Sequence, residues 1–314
     1  LSVIYVFNYN LNLTLPRSFL LGWIPSLDLF YSIEIVVMFP YIGGKKQHSK
    51  WIDPFVPTDA KTYVEVFGGA MWLYWMSKKL PVEKNVYNDF NRHLANVFMC
   101  SSTDTANMEK ECLKLVKHIG DTDKFNEYRD EVFAVYDQKF PLPDYELAAK
   151  YMFLQLQIFS GGDGLTTKSK IYRMPEKYKP KFSVYIEKFS QPKYVERLNC
   201  LSTESMDCRK LITKYDNEDT FFYIDPPYFN LESYYTEDAF GRDDHIELLK
   251  QLRDTKGKWA LSYYYFDELE DILPRDEFYW HEEKTFSINS TNRAERTELL
   301  IMNYKITSPL EKYF

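Results

Sequence analysis

The chain has 314 residues, of which 45% are hydrophobic and 27% charged, a balance that is typical of a globular protein and excludes a disordered one. Its net charge of −7 excludes a protein that holds nucleic acid through overall charge alone, so any such contact needs a local basic patch. Its four cysteines form no CxxC pair, which argues against a disulfide framework and a cysteine zinc site and fits a reducing cytosol.

Residues 1–37 differ in composition from the rest of the chain. They carry three charges, and their uncharged runs are shorter than the roughly 18–20 apolar residues that a membrane span needs. The alternation of strands and helices begins after Met38. We therefore expect residues 1–37 to be an N-terminal extension outside the main fold, with a packed arm or a weak membrane-surface segment as the alternatives.

Strand and helix patterns alternate along residues 38–304. Apolar and β-branched runs predict the strands Thr62–Phe67, Asn85–Tyr87, Tyr194–Leu201, Thr220–Ile224 and Lys258–Tyr263, and a closing hairpin of Phe278–Trp280 and Glu298–Tyr304. Helical spacing predicts helices at Ala70–Leu80, from Arg92 to Ser160 with breaks near Gly120 and Pro141–Pro143, at Cys208–Lys214 and at Asp243–Arg253. Strands arranged around an all-helical insert predict an open α/β sheet with an inserted domain.

The motif Asp225-Pro226-Pro227-Tyr228 directly follows a predicted buried strand. Ligands of open α/β sheets bind beyond the carboxyl ends of the strands. Because proline has no backbone N–H and a fixed φ, the two prolines form a rigid turn whose carbonyls can accept hydrogen bonds. With the Asp225 carboxylate and the flat ring of Tyr228, the motif predicts a site for an amino group on a planar ligand such as a nucleobase. An ordinary turn is the alternative.

Two glycine motifs suggest a nucleotide-type ligand. In the first, a predicted strand leads through Phe67-Gly68-Gly69 into a helix. Asp89 follows the next strand about 20 residues later, which is where dinucleotide-binding folds place the acidic residue that contacts a ribose. The absence of GxGxxG argues against NAD or FAD, and any βαβ unit shows a similar layout. Further upstream, Lys45 follows Gly-Gly and can pair with a ligand carboxylate, unless it is simply a solvated lysine.

Together these motifs resemble the DNA adenine-N6 methyltransferases of the Dam type, the D12 class, and especially its phage-borne members. The resemblance runs from Met38 to about Tyr304 and includes the segments Tyr41–Lys45, Phe67–Gly69, Asn88-Asp89, Tyr215–Tyr228, Trp259–Tyr263 and Glu298–Tyr304. It implies a Rossmann-like sheet of a methyltransferase that uses S-adenosylmethionine (AdoMet). The catalytic domain then comprises residues 38–100 and 200–314, and residues 101–199 form an inserted, mainly helical DNA-recognition domain.

The resemblance also implies roles for individual residues. Cofactor contacts map onto Tyr41, Lys45, Asp89 and Asp225, with Phe67 and Gly69 shaping the pocket and Asp207 near the cofactor adenine. The chain departs from the family in carrying Tyr41 where Dam has a tryptophan and in its looser Gly68-Gly69-Ala70-Met71 turn.

The chemistry expected at this site is direct methyl transfer without a metal. The lone pair of the adenine N6 amine is delocalised into the ring, and Asp225 and the Pro226 carbonyl can each accept one N6–H, which localises that lone pair. Tyr228 would stack on the flipped base. A cytosine-C5 mechanism needs a Pro-Cys nucleophile, and the sequence has no Pro-Cys pair. A zinc deaminase needs a PCxxC motif in addition to the HxE at His245, and that motif is absent as well. We expect His245 to be a surface helix residue.

The basic patch that DNA binding requires falls in residues 165–197, which hold nine basic residues against three acidic ones. The candidate DNA contacts are Lys168, Lys170, Arg173, Lys177, Lys179 and Lys181. Arg173 is the candidate for a base contact because its fork can pair with guanine. A solvated charged face is the alternative.

The sequence thus predicts a site-specific, adenine-specific DNA methyltransferase of the restriction–modification type, a cytoplasmic monomer (in the host cytoplasm if viral) that acts on double-stranded DNA. A catalytically silent nucleic-acid-binding relative is one alternative. Methylation of another amine, such as cytosine N4, RNA adenine or a protein glutamine amide, is another, although cytosine-N4 relatives more often begin the motif with serine.

Overall fold

A computed structural model describes residues 46–135, 139–158, 181–228, 240–286 and 295–306. The strands are β1 (Thr62–Glu65), β2 (Lys84–Asn88), β3 (Leu201–Glu204), β4 (Thr220–Ile224), β5 (Lys258–Tyr263), β6 (Tyr279–Phe286) and β7 (Glu295–Met302). The helices are α1 (Lys46–Ile52), α2 (Trp72–Met76), α3 (Arg92–Thr103), α4 (Thr105–Leu115), α5 (Thr122–Ala134), α6 (Tyr145–Gln157), α7 (Lys181–Ile186), α8 (Pro192–Asn199), α9 (Cys208–Tyr215), α10 (Arg242–Asp254) and α11 (Asp267–Ile272).

The described strands form one seven-stranded sheet in the order β3-β2-β1-β4-β5-β7-β6. The first five are parallel, and β7 runs antiparallel to both β5 and β6. The chain builds outward from β1 through β2 to β3 and then returns to the other side of β1 as β4. The strand order therefore reverses between β1 and β4. The predicted open α/β sheet and its closing hairpin are confirmed.

The sheet is buried on both faces because its side chains alternate between two apolar layers. Val64 of β1 and Phe222 of β4 belong to one layer, together with Leu249 and Leu252 of α10. Tyr63 points to the opposite layer, where its ring lies 6.4 Å from that of Tyr74. All five residues of β4 are buried, as a strand in the middle of a covered parallel sheet requires.

Helices α3 to α8 lie in the chain between β2 and β3. Each of α3, α4, α5 and α6 begins at an Asn or Asp whose side chain accepts backbone N–H groups of the first turn, namely Asn91, Asp104, Asp121 and Asp144. Helices α3, α4 and α5 pack on α6, whose segment Tyr151–Leu154 is buried throughout. The predicted helical stretch is confirmed, with α5 starting just after Gly120. In the described parts of the chain, no helix is both long and apolar enough to cross a bilayer.

The prediction of a strand at Tyr194–Leu201 was wrong. The structure has helix α8 there, followed by the short strand β3. Pro192 occupies the first turn of α8, where its missing N–H costs nothing, and the buried Tyr194 and Leu198 lie four residues apart on one helical face. The predicted helix at Ala70–Leu80 is shorter than expected and ends at Met76, because the chain turns extended at Ser77.

The turn after β1 depends on a glycine. A Cβ atom on Gly68 would lie 2.3 Å from Cε2 of Tyr87, whose ring stacks on Phe98 with centroids 3.9 Å apart. The backbone N–H of Gly68 donates to the Asn88 carbonyl at 2.7 Å, and the Tyr87 hydroxyl donates to the Gly69 carbonyl at 3.0 Å. Gly69 has a φ of 48°, which favours glycine. These contacts fix the turn against the end of β2.

We expect Gly68→Ala to lower the free energy of unfolding by about 1–3 kcal/mol, because the buried Tyr87 ring cannot move aside. Urea unfolding measures the change. Gly241→Ala is the matched control, since its added Cβ would meet only Oδ2 of Asp244 at 3.8 Å. Equal losses in the two variants would contradict the steric argument.

Candidate active site

The predicted ligand-binding residues that follow β1, β2 and β4 meet at one edge of the sheet. Parallel strands end on the same edge, and the crevice at a reversal of strand order is where open α/β sheets bind ligands. The turn Phe67–Gly69 follows β1, Asp89 follows β2, and Asp225–Tyr228 follow β4. The backbone N–H of Val66 donates to the Tyr223 carbonyl at 3.0 Å, so the β1–β4 pairing continues up to the two motifs.

Asp89 is tied to the glycine turn. Its Oδ2 accepts the backbone N–H of Gly69 at 2.9 Å, and its Oδ1 accepts that of Asn91 at 2.8 Å. Burial raises the pKa of the Asp89 carboxyl to about 6, although these two hydrogen bonds oppose the shift. A carboxylate has about four lone-pair positions, so Asp89 can accept further hydrogen bonds from a ligand's hydroxyl groups. The neighbouring Phe90 ring is 68% exposed.

Asn88 joins three strand ends at this edge. Its side-chain N–H groups donate to the carbonyls of Val66 at 2.9 Å and Met206 at 3.2 Å, and its Oδ1 accepts the N–H of Met206 at 3.0 Å. The amide is buried and connects the ends of β1, β2 and β3. Sequence reasoning gave Asn88 no role of its own, although a buried amide at the end of an apolar strand is a signal for one.

Asp207 has structural partners that the sequence did not reveal. It caps α9 by accepting the N–H groups of Arg209 and Lys210, and it forms an ion pair with the Arg209 guanidinium at 2.8 Å. Hydrogen bonds from Arg209 hold the pKa of the Asp207 carboxyl below its usual range. Arg209 also reaches Asp244 and Glu247 of α10. A cofactor contact by Asp207 stays a prediction.

Tyr228 is held by residues at the end of β5 and within β7. Its ring contacts those of Tyr263 and Tyr264 edge-on, with centroids 5.6 and 4.3 Å away. Its hydroxyl donates a hydrogen bond to Oε1 of Glu298, a buried residue of β7. The motif is therefore fixed by strands that lie far from it in sequence.

Glu65 is a buried acid beside the motif that the sequence reading passed over. Its Oε2 accepts the Tyr63 hydroxyl at 2.7 Å. Burial, with a smaller contribution from the charge of Asp225, raises the pKa of Glu65 to about 8. Glu65 is therefore protonated at neutral pH and adds no negative charge beside Asp225. A charged residue within an apolar strand is the signal that could have found it.

The predicted basic patch falls mostly outside the described residues. The residues of the patch that lie outside are Lys168, Lys170, Arg173, Lys177 and Lys179, and Lys181 begins α7 with its side chain outside as well. The predicted cofactor contacts Tyr41 and Lys45 also lie outside the described residues. Two basic residues of the stretch 165–197 are not part of a surface patch. Lys188 is buried with its Nζ 3.4 Å from the centroid of the Tyr185 ring. Arg197 donates to the carbonyls of Tyr74 and Leu80.

The expectation that His245 is a surface residue was wrong. His245 is buried, and its Nδ1 lies 2.5 Å from the Tyr263 hydroxyl. The apolar residues Leu248, Leu249 and Leu252 share its face of α10, so the face that carries His245 packs on the sheet.

The buried Glu65 should make stability depend on pH. Because folding raises the pKa of Glu65, the folded protein keeps this proton to a higher pH than the unfolded chain does. The resulting contribution to stability is lost as pH rises from about 5 through 8. We expect the free energy of unfolding to lose up to about 1.4 kcal/mol per pH unit from this residue in that window. Urea unfolding of Glu65→Gln should show a flatter profile than wild type.

Glu218→Gln, which removes an exposed carboxyl just before β4, is the control and should keep the wild-type slope. A wild-type slope in Glu65→Gln would show that Glu65 is ionised in the folded protein.

Comparison with known proteins identifies the family of this chain. The family model for D12 class N6 adenine-specific DNA methyltransferases matches residues 41–305. The type II methyltransferase M.MjaIII of Methanocaldococcus jannaschii is 25% identical over 243 residues, which cover 70% of this chain and 80% of that protein. The type II methyltransferase M.CviBI of Paramecium bursaria Chlorella virus NC1A is 22% identical over 269 residues, which cover 83% of this chain and 97% of that protein. The family resemblance is confirmed, and the chain belongs to the D12 class of N6 adenine-specific DNA methyltransferases.

Proposed function

We propose that this chain transfers a methyl group from AdoMet to N6 of a flipped adenine in double-stranded DNA, at the edge where β1, β2 and β4 end. The observation that carries the proposal is the position of Asp225–Tyr228, which follows the central strand β4 beside the glycine turn and Asp89. The intact motif favours an active enzyme over a catalytically silent relative. The names of both relatives, type II methyltransferases, support a role in restriction–modification.

The residues at the ends of β1 and β2 fit AdoMet. The turn at Gly68 packs against the Tyr87 ring and is tied to Asp89 through the Gly69 N–H, so its backbone is held at the edge where the cofactor would bind. Asp89 offers carboxylate oxygens for ribose hydroxyls, and the exposed Phe90 ring lies next to it. Phe67, Gly69, Asp89 and Asp225 would hold the cofactor, joined by Tyr41, Lys45 and Asp207. When bound, AdoMet supplies the methyl group on a positively charged sulfur.

Asp225 and Pro226 prepare the target amine. The Asp225 carboxylate accepts one N6–H of adenine and the Pro226 carbonyl accepts the other, so the nitrogen lone pair turns out of conjugation with the ring. Pro227 keeps this turn rigid and, like Pro226, brings no competing N–H donor. As N6 gains its methyl group it becomes positively charged, and the Asp225 carboxylate can take the surplus proton. No metal ion is needed for these steps.

Tyr228 receives the base. Moving a base out of the helix costs a few kcal/mol. Stacking on an aromatic ring returns roughly 1–3 kcal/mol per base. The contacts of Tyr228 with Tyr263, Tyr264 and Glu298 keep its ring in place for this role.

The insert at residues 101–199 is proposed to recognise DNA, and residues 38–100 and 200–314 to form the catalytic domain. Phosphate contacts would come from Lys168, Lys170, Lys177, Lys179 and Lys181, and a base contact from Arg173. The cytoplasmic location, the monomeric state, the phage source and the extension at residues 1–37 stay predictions.

Asp225→Ala should lower the rate of methyl transfer by about 10²–10³, as loss of one preorganised electrostatic group does in other enzymes. The measurement is AdoMet-dependent methylation of mixed-sequence DNA, with modified adenines read by single-molecule sequencing. Asp219→Ala is the matched control, because Asp219 precedes β4 at its opposite end and its side chain forms an exposed ion pair with Lys61. Near-normal turnover by Asp225→Ala would exclude the mechanism.

Replacing Lys177, Lys179 and Lys181 together with glutamine should weaken DNA binding and flatten its salt dependence. Each lost phosphate contact reduces the slope of log K against log salt by about 0.9. Titrations at several salt concentrations measure the slope. The exposed Lys210, Lys250 and Lys256, which lie outside the insert, form a control with the same change in charge when replaced in the same way. An equal slope in both triple variants would place the DNA surface elsewhere.

A further inference from the structure

Glu298 is an acid in an apolar part of the sheet. It belongs to the segment Glu298–Tyr304 that carries part of the family resemblance but had no role assigned. Its side chain is fully buried, and the residues that follow it, Leu299 to Met302, are buried and apolar. Burying a carboxyl group is costly unless it makes hydrogen bonds. A leucine would suit this environment better, so packing does not explain the acid.

The hydrogen bond that Glu298 makes leads to the proposed active site. Its Oε1 accepts the hydroxyl of Tyr228, which lies 70 residues away in sequence. Tyr263 and Tyr264 contact the ring of Tyr228 edge-on at interplanar angles of 67° and 61°. These edge contacts restrict the plane of the ring, and the hydrogen bond fixes its far end. The orientation of Tyr228 is thus set from β5 and β7, outside its own loop.

We propose that Glu298 is a positioning residue, which holds the Tyr228 ring in the orientation on which the target adenine stacks. The proposal rests on the proposed stacking role of Tyr228. Glu298 acts through the phenol and touches neither DNA nor cofactor. Its loss should therefore lower kcat and leave the affinities for AdoMet and DNA nearly unchanged.

A double-mutant cycle between Glu298 and Tyr228 tests this coupling. The variants are Glu298→Leu, Tyr228→Phe and the two combined, assayed on DNA that carries the recognition sequence found by single-molecule sequencing. We expect each single variant to lower kcat about tenfold, as loss of a hydrogen bond to a carboxylate does, and the double variant to lose no more than the worse single. Glu298→Gln keeps an acceptor oxygen and should recover most of the activity.

Glu283→Leu is the matched control, because Glu283 is the β6 residue paired with Glu298 in the hairpin and is exposed. It should keep wild-type kcat. A fluorescent 2-aminopurine at the target position adds a spectroscopic readout. It should be quenched by stacking in wild type and brighter in Glu298→Leu.

Several results would overturn the proposal. The first is a double variant whose kcat falls about a hundredfold, as it would if the two single losses multiplied. The second is a Glu298→Gln variant whose kcat is as low as that of Glu298→Leu. The third is wild-type kcat in Tyr228→Phe. The last of these needs no Glu298→Leu protein, so it decides the question even if that variant does not fold. Tyr228→Ala separates this proposal from the proposed function. Full activity in Tyr228→Ala contradicts stacking itself, whereas a loss confined to Tyr228→Ala contradicts only the role of Glu298.

Discussion

The parallel pairing of β1 with β2 on one side and with β4 on the other is the constraint on which the candidate site depends. Through it, the ends of three strands meet at one edge, although their motifs lie far apart in sequence. Side-chain hydrogen bonds add to the backbone pairing of these strands. Asn88 connects the ends of β1, β2 and β3, and Asp89 holds the turn at Gly69. The edge is therefore a cross-linked unit and not a set of independent loops.

Several carboxyl groups lie at this edge, and the fold limits their mutual repulsion. Glu65 is protonated at neutral pH because burial raises its pKa to about 8. Asp207 is neutralised by Arg209, while backbone N–H groups of Gly69 and Asn91 stabilise the charge of Asp89. The proposed contact of Asp225 with the N6 amine would therefore face few competing negative charges.

Much of this could be predicted from the sequence, because the informative signals are local. The apolar run of β4 followed by Asp225–Tyr228 contains both a strand and a site within nine residues of chain. What could not be predicted depends on contacts between distant residues. The spacing around Tyr194 suits a strand or a helix until its buried face is known. The side-chain hydrogen bonds of Asn88 and Glu298 exist only because Met206 and Tyr228 lie against them in the folded chain. His245 looks like any helix histidine until α10 packs on β5.

The position of the helical insert would allow the proposed DNA recognition to change without changing the proposed site of methyl transfer. The chain leaves the sheet at the end of β2 and returns as β3, which pairs with β2 in parallel. Both ends of the insert are therefore anchored to the same strand. Arg197, in the last helix before β3, binds the carbonyls of Tyr74 and Leu80, and the Tyr74 hydroxyl donates to the Arg197 carbonyl. The C-terminal end of the insert is thus hydrogen-bonded to α2 and to Leu80, which follow the glycine turn. Changes within the insert need not disturb β1 and β4, beside which methyl transfer is proposed to take place.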